Sequence, residues 1–218
     1  MKGNRNLLIG LFIATMACCS TNAHAQEMKP VALPKPQTDG GRPLMQVLND
    51  RQSLRTFSDR KLPLQILSNL LWAAFGVNRS ESGKRTAPSA RNWQELRVYA
   101  AMEDGLYLYD AQAQALVPVL KEDIRAQTGI QPFAATVPLN LVYVADYSKM
   151  GDVAKEDKDL YSAADTGFIA QNVYLFCASE GLATVVRGAL DRQALARVMK
   201  LDPDQKVILA QSVGYPGE

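Results

Sequence analysis

Residues 159–182 carry only three charged side chains, Asp159, Asp165 and Glu180. Their apolar residues, Leu160, Ala164, Phe168, Ile169, Val173, Tyr174, Leu175, Phe176 and Ala178, are spread around the whole helical circumference. A helix apolar on nearly all sides has to be buried on nearly all sides. In a chain of 218 residues this leaves two solutions: complete wrapping by a sheet and its neighbours, or burial against a second copy of the same helix. Gly181 marks the helix end.

The flanking pattern supplies the sheet. Residues 96–102 alternate as a strand, Glu103-Asp104-Gly105 makes a turn, and residues 106–109 return as the second arm of a hairpin. Residues 116–120, 139–145, 183–186 and 206–213 read as further strands, and 191–200 as a helix. Residues 122–127 form a short helix, and 43–50 a helix with Leu44, Val47 and Leu48 on one face. Pro63 opens another helix, followed by Leu64, Leu67, Leu70, Leu71 and Ala74 up to Gly76. Residues 80–92 read as a polar loop. Strands and helices follow no regular βαβ rhythm, and no glycine-rich fingerprint opens a helix after a strand, which argues against a dinucleotide-binding Rossmann domain. The predicted class is α+β, an antiparallel or mixed sheet flanked by helices around a long buried central one.

Domain organisation follows from the N-terminus. Lys2 and Arg5, an apolar run over 7–17 and Ala23-His24-Ala25 give residues 1–25 the form of an export signal, predicting a periplasmic protein. A lipid anchor at Cys18, after Thr15-Met16-Ala17, is the rival reading. Residues 26–41, with Pro30, Pro34, Pro36 and Gly40-Gly41, read as an extended linker, and residues 42–218 as one domain.

Past residue 25 there are 193 residues with 22 basic and 22 acidic side chains, one cysteine, Cys177, and no histidine. Ser-His-Asp and Cys-His nucleophile pairs and histidine metal sites are thereby excluded, as are an internal disulfide and a cysteine-held iron–sulfur cluster. Charge balance argues against phosphate-driven nucleic-acid binding, and no stretch is long and apolar enough to span a bilayer. For an enzyme without histidine or a second cysteine, the expected source of its hard chemistry is a bound organic cofactor. Cys177, inside the long helix, reads as a small hydrophobe, and Gln171 and Asn172 as core amides.

Three segments can bind such a group. In 51–55, Arg51, Ser53 and Arg55 share one face of an extended stretch around Gln52, offering two guanidinium forks and a hydroxyl to a phosphate. The loop from Lys84 through Arg85 and Arg91 to Asn92 places cations beside Pro88, Ser89 and Ala90, with Ser89 and Asn92 able to hold a planar polar ligand. In 181–188 an apolar strand breaks at Arg187-Gly188, where main-chain N–H groups can face a ligand edge. Taken singly, each segment is also an ordinary surface feature.

Together these segments resemble the FMN-dependent nitroreductase superfamily, in particular the branch with the azoline-oxidising dehydrogenases. The match covers about residues 43–216. It rests on Arg51-x-Ser53-x-Arg55-x-Phe57, Leu71-Trp72-Ala73-Ala74-x-Gly76-x-Asn78-Arg79 and Arg85-Thr86-Ala87-Pro88-Ser89-Ala90. Gly105-Leu106-Tyr107-x-Tyr109, Asp165-x-Gly167 with Gln171-Asn172, and Val213-Gly214-Tyr215-Pro216 match as well. The resemblance implies a homodimer with FMN at the interface, and hydride exchanged at flavin N5 between a small-molecule donor and an acceptor such as a quinone or nitroaromatic. Under it Arg51, Gln52, Ser53 and Arg55 hold the phosphate and ribityl chain. Pro88, Ser89, Ala90 and Asn92 reach the flavin from the other subunit, and Arg187 and Gly188 present main-chain N–H groups to N5 and O4. No side chain is implied as catalytic. The basic pair that many relatives carry after the Gly-Tyr segment is missing, since Gly217-Glu218 follow Pro216. The alternative function is an exported FMN-binding or redox-partner protein without turnover of its own.

Overall fold

The computed structural model describes residues 28–218, so the signal and its lipid-anchor alternative lie outside the described residues. The strands are β1 (Val31–Ala32), β2 (Val77–Arg79), β3 (Lys84–Arg85), β4 (Leu96–Met102), β5 (Gly105–Asp110), β6 (Ala115–Leu120), β7 (Leu139–Asp146), β8 (Ala183–Arg187) and β9 (Gln205–Gly214). The helices are α1 (Leu44–Asp50), α2 (Leu64–Phe75), α3 (Lys155–Glu180) and α4 (Arg192–Val198). Seven strands form one sheet in the order β1-β6-β5-β4-β7-β9-β8, and every neighbouring pair is antiparallel. The predicted α+β class holds, with an antiparallel rather than mixed sheet. Residues 80–92 are not all loop, because β3 lies within them and pairs with β2, just before them, in a small hairpin.

Both sheet faces are covered, which explains the unbroken apolar run of β7. Its Leu139, Leu141, Tyr143 and Ala145 enter the core beneath α2 and α3. Val142 and Val144 point the other way, toward Leu195 and Met199 on the α4 side. Alternation is thus preserved while every residue of the strand is buried. Asp191 starts α4 by accepting the Ala194 N–H at 2.9 Å. Glu156 and Asp157 favour the first turn of α3, and Gly181, at φ 68°, ends it in the left-handed conformation.

The expected linker is extended but docked. Val31 and Ala32 pair with Leu116 and Ala115 at the sheet edge, and Leu33 is buried. The segment then crosses α2, where Gln65 donates to the Lys35 carbonyl at 3.0 Å and Gln37 donates its N–H to Asn69 at 2.9 Å. Its prolines are compatible with an edge strand, where one side of the backbone needs no ladder partner.

Helix α3 is 26 residues long, four residues longer at its start than the sequence spacing indicates. It is not buried all round within the protomer. Asp165, Ile169, Val173 and Cys177 face the core, whereas Leu160 is 63% exposed and Phe168 48%. Leu160, Ala164, Gly167, Phe168 and Gln171 form one open stripe. Gln171 is therefore on the surface rather than in the core, as sequence reading had placed it. Helix α1 is open too: of its expected apolar face only Val47 is buried, while Leu44 and Leu48 are exposed.

Candidate functional site

Strand β8 is an outer strand, paired with β9 alone. Its free edge is where the first and third candidate segments meet. Leu54 donates its N–H to the Thr184 carbonyl at 3.0 Å. Val186 donates its N–H to the Tyr174 hydroxyl at 2.9 Å, and that hydroxyl lies 2.8 Å from Ser53 Oγ. The Arg51 guanidinium sits 5.4 Å above the Tyr174 ring. Tyr174 of α3 is thus the post to which both segments are tied. Gln52, Ser53 and Arg55 are exposed beside it, and neither Arg51 nor Arg55 joins an ion pair among the described residues. Two guanidinium groups without ion-pair partners, one of them stacked on Tyr174, and a hydroxyl make up a donor set whose chemistry suits an anion.

The sequence gives Arg187 and Gly188 the same task; the structure separates them. Because Thr184 and Val186 turn their backbone polar groups away from the sheet, period-two alternation turns those of Arg187 toward β9, opposite Ala210. Gly188, exposed and just past the strand, is the next residue that the same alternation would turn outward. The Arg187 side chain is 3% exposed and serves the interior. It donates to the Thr128 carbonyl at 2.8 Å, Thr128 Oγ1 at 3.1 Å and Asn140 Oδ1 at 2.8 Å. Among the described residues no carboxylate pairs with it, and burial brings its pKa down to about 10.

The second segment stands elsewhere. Residues Ala90–Asn92 form a 3₁₀ turn fastened to the N-terminal half of α3, where the Asp165 carboxylate accepts the Ala90 N–H at 2.8 Å. Ser89 Oγ accepts the Gln94 N–H at 3.0 Å, and the Trp93 ring meets Tyr161 edge-on at 5.7 Å. Pro88 and Asn92 are exposed. Arg91, Asn92 and Gln94 all have φ near +50°, a conformation that costs a non-glycine residue about 1–2 kcal/mol. Asp165 and Tyr174 are nine residues apart on α3, about 13 Å along the axis. Within one protomer this loop is therefore not joined to the β8 edge. Of its cations, Arg85 is committed to Gln94 Oε1 at 3.0 Å and the Phe75 carbonyl at 3.1 Å, and Arg91 lies over Trp93.

The sequence profile of the nitroreductase family matches residues 48–215, nearly the whole folded region. The chain belongs to the nitroreductase family. The Methanocaldococcus jannaschii protein MJ1384, named as a nitroreductase, is 32% identical over 168 residues, 72% of this chain and 84% of that protein. A crystal structure from Ralstonia eutropha JMP134, also named as a nitroreductase, superposes with a TM-score of 0.84 at 43% identity, covering 88% of this chain and 91% of that one. The Escherichia coli microcin synthetase McbBCD complex, solved with truncated pro-MccB17, shares the fold at a TM-score of 0.68 and 20% identity, over 95% and 85% of the two chains.

Two features of this nitroreductase chain escape a reading of the sequence. Tyr174 counts there as one more apolar residue of a long helix, although a tyrosine hydroxyl in such a place needs a partner. Glu95 and Asp165, 70 positions apart, meet only in the fold. Cys177 is buried and its thiol is pushed up by that burial, in keeping with a packing role. Removing the hydroxyl in Tyr174→Phe leaves the Val186 N–H without its acceptor. Urea unfolding is expected to report a loss of about 1–2 kcal/mol; a change within 0.3 kcal/mol would mean that water replaces the hydroxyl at no cost.

Proposed function

We propose that this nitroreductase-family oxidoreductase is an exported, homodimeric FMN enzyme that takes hydride from one small molecule and passes it to another by a ping-pong route. The reading is carried by the convergence of Arg51, Ser53 and Arg55 with the outward backbone of β8 on Tyr174. These residues fit FMN by their chemistry. Arg51, Arg55 and Ser53 offer charge and donors to the phosphate, and Gly188 offers a main-chain N–H to the polar edge of the ring system. Pro88, Ser89, Ala90 and Asn92 are fastened to α3 through Asp165 and make no contact with this edge, and they are assigned to the flavin of a second subunit.

When bound, FMN supplies the capacity to accept and release hydride. The protein's part is to bind and orient it, and to place positive charge where reduction adds negative charge. Quinones and nitroaromatics are the expected acceptors. Outside the cytoplasm reduced nicotinamides are scarce, which makes a quinol or a partner protein the expected physiological donor.

The test is an absorbance scan of the purified protein followed by anaerobic titration with reduced nicotinamides and quinols. A yellow dimer bleached by at least one donor supports the reading. A yellow dimer that no donor reduces supports flavin binding without turnover, and a colourless protein that retains no added FMN refutes both. Arg55→Ala removes a charge-assisted contact worth about 1.5–3 kcal/mol. FMN dissociation, followed by flavin fluorescence, is expected to weaken at least tenfold; unchanged occupancy at micromolar flavin would remove Arg55 from the site.

A further inference from the structure

Glu95 stands just before β4 with no exposed surface, and neither of its carboxylate oxygens has a hydrogen-bond donor among the described residues. An ionised carboxylate so placed carries a large desolvation cost. What it meets is a second carboxylate, Asp165 of α3, buried as well. Asp165 is also the group that accepts the Ala90 N–H and so ties the 88–94 loop to α3. Two anions in contact repel, whereas one shared proton turns the contact into a hydrogen bond from the Glu95 hydroxyl to Asp165.

The surrounding charges do not replace that proton. Lys149 donates to the Gln94 carbonyl at 3.1 Å rather than to Glu95, though its charge favours the ionised form. Arg85 is held by Gln94 Oε1, Arg97 by Asp146 at 2.6 Å, and the Tyr147 hydroxyl by Asp159. Burial, with repulsion from Asp165 added, pushes Glu95 up to about 7; burial also raises Asp165, against the opposing bonds from Ala90 and Glu95.

We propose that Glu95 and Asp165 form a one-proton latch that fixes the 88–94 loop against α3 and lets it go when the proton is lost. A second negative charge drives the carboxylates apart and draws Asp165 away from Ala90. The loop is poised to respond, because its three positive-φ residues hold their conformation only while it is fastened. The sign follows from linkage. Glu95 binds its proton more tightly in the folded chain than at its ordinary value of 4.5, so its contribution to stability falls between pH 4.5 and about 7 and is gone above. That Pro88, Ser89, Ala90 and Asn92 meet flavin rests on the proposed function; the latch itself does not.

Amide hydrogen exchange at Ala90 tests it, measured on the purified full chain between pH 5.5 and 8.5 and corrected for intrinsic exchange. Protection is expected to fall at least tenfold with a midpoint close to 7. In Glu95→Gln, whose side-chain amide donates to Asp165 at every pH, protection should stay level. Level protection in the wild type, or the same step in Glu95→Gln, overturns the proposal. Carbon-13 NMR of the Glu95 carboxyl needs no substitution, and a midpoint below 5 overturns it equally. FMN affinity over the same range should weaken only in the wild type. An exchange step without an affinity step leaves the latch standing and refutes the assignment of this loop to the flavin.

Discussion

Under the proposed homodimer with FMN at its interface, Phe168→Asp is expected to give a folded, colourless monomer. The residue is half-exposed on α3, in line with Leu160, Ala164, Gly167 and Gln171. At Gly167 nothing lies within 4 Å of the position a Cβ would take, so another backbone can approach closely there. Covering a phenylalanine against a second copy of this stripe contributes about 2 kcal/mol, and a carboxylate in its place adds a desolvation cost of similar size. Every dimer contains the substitution twice. With both terms counted in both subunits the combined penalty is about 8 kcal/mol, roughly a millionfold in the dimer dissociation constant. Because the side chain has little to lose within the protomer, circular dichroism should remain that of a folded protein. Sedimentation velocity at micromolar concentration then reads association, and absorbance reads flavin. A yellow dimer would show that this stripe is not the interface and that the 88–94 loop has no route to the partner's flavin along it.

The same helix shows how far the sequence can be read. Its apolar circumference predicts burial, but spacing alone does not say whether the cover comes from the protomer's own sheet or from another molecule. The core half, with Ile169, Val173 and Cys177, lies on the sheet, and the other half is left open. Strands β4, β5 and β7 were legible because alternation and unbroken apolar runs report local geometry directly. That residues 28–41 of the expected extended linker, 26–41, dock on the domain was not legible, because apart from Leu33 what holds them is backbone pairing and polar contacts, and Gln65 and Asn69 on α2 carry no periodic signal. In the site, the donor chemistry of 51–55 and 181–188 was visible, since guanidinium and glycine declare their uses. Their meeting on Tyr174 was not, because helical spacing does not reveal which residue of a seven-turn helix faces a strand edge. Likewise the pairing of Arg187 and Gly188 as equals ignored the alternation that sends one inward and leaves the other outward.

That inward turn gives the largest expected loss of stability. Arg187→Ala removes three hydrogen bonds from a charged donor, leaving the Thr128 carbonyl without its donor and taking one contact each from Thr128 Oγ1 and Asn140 Oδ1. Bonds to charged groups contribute about 1.5–3 kcal/mol each, offset in part because the buried charge and its desolvation cost go too. The net loss should be about 3–4 kcal/mol, lowering the midpoint of thermal unfolding by roughly 10 °C for a chain of this size. Gly129→Ala should reproduce much of this effect by a different route. At φ 176° the backbone suits alanine, but the added methyl would stand 1.8 Å from Arg187 Nη1 and push the guanidinium off its acceptors. The two substitutions must then be strongly non-additive. With Arg187 truncated only the end of the Gln131 side chain, 2.8 Å away, has to shift, so the double variant should melt little or no lower than Arg187→Ala alone. Additive losses would mean that Gly129 is required for some reason other than the space it leaves the Arg187 guanidinium.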